Sequence, residues 1–108
     1  MSILANTLAS FAPAAGSTLS FAAATVVPSA VQSTAGLDTY LVSNSGAAVV
    51  QLGIGTTAGA AATNAASVAT CIPLLPGTTQ VLTLGRNLWF TGYSASTSTV
   101  YVTPGAGI

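Results

Sequence analysis

The sequence predicts an all-β protein: an antiparallel β-sandwich with a jelly-roll-like path and an N-terminal arm. Two observations carry this. Apolar and β-branched residues recur with period two in short runs, the spacing that places alternate side chains on opposite faces of a strand. Turn-forming Gly, Pro, Asn and Ser separate those runs at roughly 8–12-residue intervals, as in sandwiches and barrels. The 108 residues suit one domain, long enough to bury roughly two-thirds of its unfolded surface.

Residues 1–16 (MSILANTLASFAPAAG) form the expected arm. Ile3, Leu4, Leu8 and Phe11 are too dense an apolar set for a chain end free in water, so the arm is expected to dock on a partner or on a neighbouring copy. Pro13 and Gly16 end it. The sandwich is expected over 17–108. Its first strand, 17–25, alternates Leu19, Phe21 and Ala23 against Ser20 and Ala22 and stops before Pro28. Residues 29–36 read as a weak strand or loop.

Residues 38–54 (DTYLVSNSGAAVVQLGI) are the most strongly patterned stretch. Tyr40 and Val42 share one face, and Val50, Leu52 and Ile54 share another. Asn44-Ser45-Gly46 lies between them, and Asn and Gly reach positive φ cheaply. The expectation is a β-hairpin with strands at 38–44 and 48–54.

Residues 55–70 (GTTAGAAATNAASVAT) carry enough alanine for a helix, but have two glycines and no large side chain to bury. The expectation is a long surface loop, with room for a short strand at 67–72. Three strands follow, at 79–85, 88–94 and 98–103. Their turns are Pro76-Gly77, Gly85-Arg86-Asn87 and the Ser/Thr run after Tyr93, with Pro104-Gly105 as the stop. The strands are expected to be joined mainly by hairpins.

Composition limits function sharply. The chain has one acidic residue, Asp38, one basic residue, Arg86, and no His, where ordinary soluble domains are about a quarter charged. Acid–base catalysis needs a group that titrates near the working pH, and a Ser or Cys nucleophile needs a base. The sequence offers neither, so it does not read as an enzyme. Metal and cofactor sites lack their usual ligands. Nucleic-acid binding lacks its cations. No apolar run approaches the ~20 residues that span a bilayer, and the N-terminus lacks the basic region of a secretory signal. The single Cys71 reads as a small buried hydrophobe.

With so little self-repulsion, a surface covered by copies of itself or by a larger assembly is the simplest expectation. Asp38 and Arg86, each beside a turn, are candidates for pairing within or between chains. On the strand at 88–94, Leu88 and Phe90 alternate with Trp89 and Tyr93. One set fills the core, and Trp89 and Tyr93 are candidates for a covered aromatic face.

The succession LVSNSGAAVVQLGIG, IPLLPGTTQVLTLGRNLWF and STSTVYVTPGAGI resembles small virion structural proteins of tailed bacteriophages. In those, a hairpin precedes a Pro-x-Gly turn, a strand, a Gly-x-Asn turn and a closing strand. The resemblance covers about residues 17–108, and such proteins are similar to capsid decoration, or cement, proteins and to virion fibre or knob components. It implies a β-sandwich that forms homo-oligomers, commonly trimers, and binds the major capsid protein at the outer capsid surface. It brings no catalytic residues. A fibre, spike or tail-associated module that binds a host-surface ligand is the alternative. An ice- or surface-binding role would need regular Thr repeats that are missing.

Overall fold

The computed structural model describes residues 11–106. Nine strands and one helix occupy this span: β1 (Ala12–Pro13), β2 (Leu19–Ala23), β3 (Val31–Gln32), β4 (Thr39–Asn44), β5 (Val50–Gly55), α1 (Ala58–Ala65), β6 (Ile72–Leu74), β7 (Thr79–Thr83), β8 (Trp89–Tyr93) and β9 (Ser98–Ala106). They form two sheets whose strand pairs are all antiparallel. Sheet A runs β1-β9-β4-β7, with β2 beside β1 on the same edge of β9. Sheet B runs β3-β8-β5-β6.

The inner faces of the two sheets make one core. Phe21, Tyr40, Val42, Val100 and Val102 come from sheet A, and Val50, Leu52, Leu74 and Phe90 from sheet B. Tyr40 and Phe90 meet edge to face across the gap, ring centres 5.0 Å apart, a geometry that aromatic quadrupoles favour. Tyr40 is fully buried. Its hydroxyl reaches two carbonyls, Gly85 at 2.7 Å and Leu37 at 3.0 Å. Burial pushes the phenol above its usual pKa, which keeps that donor protonated.

The expected alternation holds within the strands: Tyr40, Val42, Val50 and Leu52 all point inward. The expected hairpin does not form. β4 pairs with β7 and β9, whereas β5 pairs with β6 and β8, so residues 45–49 carry the chain from one sheet to the other. Period two fixes which face is buried. It is the same for a hairpin and for an arch between facing sheets. The turns after β6, β7 and β8 likewise cross between the sheets. Gly77 (φ 71°) and Asn87 (φ 56°) supply the left-handed backbone of the first two crossings.

Residues 55–70 are a second correction, since α1 occupies Ala58–Ala65. Thr57 caps it, its Oγ1 accepting from the Ala60 amide at 3.1 Å, as N-cap threonines do. The helix lies on the outer face of sheet B, and its buried stripe is only Ala61 and Ala65. Close approach replaces side-chain bulk. A Cβ on Gly53 would collide with the Ala61 carbonyl and the Ala65 amide, and one on Gly55 would lie 2.6 Å from the Ala61 nitrogen. Asn64 Nδ2 donates to the Ile54 carbonyl at 2.7 Å and ties helix to strand.

Two ends also differ from expectation. Residues 12–13 of the expected arm pair with Gly105 and Ala106. β9 does not stop at Pro104-Gly105 but runs through it. The Ser45 amide bonds the Thr99 carbonyl, so odd-numbered residues of β9 bond towards β4 and even-numbered ones away from it. Pro104 therefore lacks its N–H on the side where residues 14–18 pass between β1 and β2, and no bond to β4 is lost. Its carbonyl, on that side, accepts from Ala14 at 2.9 Å.

Candidate assembly surface

The outer faces of the two sheets differ. Sheet B is covered by α1, which packs across β5 and β8, and Thr91 on that face donates to the Pro28 carbonyl at 2.8 Å. Sheet A carries no helix among the described residues; Phe11 covers its end at Gly105, where Thr39 is buried, and the rest of the face is open. Because Tyr40 and Val42 point inward, Thr39, Leu41 and Ser43 point outward. The register then sets the outer rows. One runs Ser20, Tyr101, Ser43, Thr79, and the next runs Thr103, Leu41, Val81. No charged side chain lies in either row.

Hydroxyls on this face bond one another. Thr18 meets Thr103 at 2.9 Å, Thr79 donates to Ser43 at 3.1 Å, and Thr39 lies 3.4 Å from Thr83. Such cross-strand pairs hold the sheet together. They also use up hydrogen-bonding capacity that would otherwise bind water. Tyr101 and Val81 are exposed between them. The result is a neutral face that loses little hydration when covered.

Of the residues singled out from the sequence, Ile3, Leu4 and Leu8 lie outside the described residues. Phe11 is half-buried. Its ring sits over Gly105 of its own chain, where a Cβ would overlap it. Asp38 and Arg86 are both exposed and flank the same end of sheet A, where the Leu84 amide bonds the Asp38 carbonyl at 2.8 Å. Among the described residues no ion pair joins them. The Asp38 carboxylate accepts from the Thr39 hydroxyl at 3.4 Å. Trp89 and Tyr93 are half-buried on the outer face of sheet B, opposite Gly55 and Gln51 of β5. Among the described residues the candidates thus divide between the two sheets and are not brought together.

The sequence reading passed over Leu41, Val81 and Tyr101. Their signal was present in β7 and β9, where Thr79, Val81 and Thr83 alternate with Gln80 and Leu82, and Thr99, Tyr101 and Thr103 with valines. The sequence places Asn44 in a turn; it is fully buried, and it organises the crossing from β4 to β5. Among the described residues there is no group of three metal-ligating side chains, and no helix is long and apolar enough to cross a membrane. Comparison of the chain with protein-family models, curated proteins and solved structures gave no match.

Proposed function

We propose that this chain is a non-enzymatic virion structural protein, a phage decoration protein that binds the outer capsid surface as a homo-oligomer and stabilises the shell. The observation that carries this reading is the outer face of sheet A. It is neutral and internally hydrogen-bonded, and it exposes Tyr101 and Val81. Burying such a face desolvates no charge, and each Å² of apolar area removed from water contributes about 25 cal/mol.

Fold analogy supports the same reading. We read the orders β2-β9-β4-β7 and β3-β8-β5-β6 as a jelly-roll path, which viral capsid domains share with lectins and cupins. Oligomers bridging neighbouring capsomers would add contact area and resist outward pressure. A second reading, a fibre or tail module that binds a host-surface glycan, is favoured by one feature. Tyr101 stands between Ser20 and Ser43, an aromatic flanked by hydroxyls on which a sugar ring can stack.

Quantitative mass spectrometry of purified virions that contain the protein separates the two. Decoration predicts copies in the hundreds, in proportion to the major capsid protein. A few copies per particle, located at one vertex, would favour the fibre reading. Absence from virions would overturn both.

A further inference from the structure

We infer that the free edge of β7 is a two-fold contact between two copies of this chain, with Val81 on the axis. β7 ends sheet A, and among the described residues nothing pairs with its outer side. Which of its backbone groups face that side follows from the bonds to β4. The Leu84 amide bonds the Asp38 carbonyl, and the Asn44 amide bonds the Thr78 carbonyl. Antiparallel ladders alternate, so Gln80 and Leu82 exchange their bonds with Val42 and Tyr40. The N–H and C=O groups of Thr79, Val81 and Thr83 therefore point to the open edge.

Natural sheet edges are guarded by Pro, Lys, bulges or brevity. β6 has Pro73 at its centre, and β3 is two residues long. β7 has five residues, TQVLT, with no Pro and no charge. β2 is equally long, but reads LSFAA and has no symmetry about its centre. β7 reads Thr-x-Val-x-Thr in both directions. An antiparallel partner centred on Val81 would set Thr79 against Thr83 of the partner subunit, Val81 against the partner's Val81, and Thr83 against the partner's Thr79. Each pair would exchange both backbone bonds. The outer rows of sheet A would continue across the axis, with valine on valine and threonine on threonine. No charge on either copy opposes the approach, and a second copy is the one partner whose sequence must match that symmetry.

This contact needs no capsid. Dimerisation of the isolated protein tests it, whereas abundance in virions tests the proposed role, so either can fail alone. The experiment is sedimentation velocity of the full chain from micromolar to near-millimolar concentration, with Val81→Pro and Val81→Lys as variants. Val81→Pro removes an N–H that points away from β4, so the ladder within the chain is kept and proline is tolerated there. Val81→Lys keeps every backbone bond and places two like charges on the axis. The expected result is a wild-type dimer, or a larger even-numbered oligomer, whose dissociation constant at this contact rises at least about tenfold in both variants, with circular dichroism unchanged. If Val81→Pro perturbs the fold, Val81→Lys decides. A wild-type monomer, an odd-numbered oligomer, or association equal in wild type and Val81→Lys would overturn the inference.

Discussion

Replacing Asn44 with alanine is expected to destabilise the fold by about 3–5 kcal/mol. Its Nδ2 donates to the Ala48 carbonyl at 2.9 Å and to the Leu74 carbonyl at 3.0 Å, and its Oδ1 accepts from the Gly46 amide at 3.0 Å. These bonds join sheet A to the start of β5 and the end of β6, where the chain crosses between the sheets. A hydrogen bond lost costs about 0.5–1.5 kcal/mol and a group left without a partner about 1–3 kcal/mol; alanine leaves the Gly46 amide without its partner and takes one bond each from the Leu74 carbonyl and the Ala48 carbonyl, which keeps Ser98 Oγ at 3.3 Å. Asn44→Asp should be no better, since a carboxylate keeps only the bond from Gly46 and turns an acceptor towards two carbonyls. Urea unfolding with an unchanged slope measures the loss. The exposed Ser20→Ala serves as the control and should fall within ±0.5 kcal/mol. A loss below about 1 kcal/mol at Asn44 would show that the crossing is held by something else.

Gly53→Ala is expected to cost about 3 kcal/mol and to reduce the helical signal in circular dichroism. The new methyl would sit on the Ala61 carbonyl and the Ala65 amide. These are backbone atoms and cannot turn aside, so the helix must lift from the sheet or β5 must bend. Overpacking of a fitted contact costs about 1–3 kcal/mol, occasionally more, and lifting α1 also exposes Ala61, Ala65 and the Asn64–Ile54 bond. Gly59→Ala makes the opposite case within the same helix. Nothing lies within 4 Å of the methyl there, so lower unfolded-chain entropy should stabilise the fold by about 0.4–1 kcal/mol. Opposite signs at the two glycines would establish that α1 is seated by close backbone approach. A neutral Gly53→Ala would contradict it.

These two sites also mark the limit of what was legible in the sequence. The strands and their buried faces were readable because period two reports burial directly: Tyr40, Val42, Val50 and Leu52 are inward as their spacing predicts. The partner of each strand was not. Asn44-Ser45-Gly46 suits a hairpin as well as a crossing, and only the buried Asn44 amide, bonded to Leu74 thirty positions on, distinguishes them. The helix was missed for a related reason. Its buried stripe is two alanines, and the space it needs is made by Gly53 and Gly55 on another element. Glycine spacing in β5 and alanine spacing in α1 become a signal only when read together.

The candidate surface was half legible. Near-absence of charge pointed to a covered exterior, and the exposed rows of sheet A contain no charged residue. The position of the proposed surface is not readable from composition; Trp89 and Tyr93, the large aromatics the sequence singles out, lie half-buried on the face that carries the helix. Thr and Ser are common in any strand, and their importance here comes from register, which sets Thr18 beside Thr103 and Thr79 beside Ser43.

If this protein holds its partners through neutral surface, as proposed, salt leaves the contact intact. Screening acts on charge: between low salt and 1 M sodium chloride the Debye length shrinks to ~3 Å, and exposed Coulomb terms largely vanish. Apolar burial responds in the other direction, strengthened by excluded salts such as sulfate. The measurement is the self-association constant by sedimentation at low and ~1 M sodium chloride and in sodium sulfate. The predicted result is a constant unchanged by chloride and increased by sulfate. Dissociation by sodium chloride alone would mean that Asp38 and Arg86, the only charged side chains in the sequence, govern the contact, and would contradict the account.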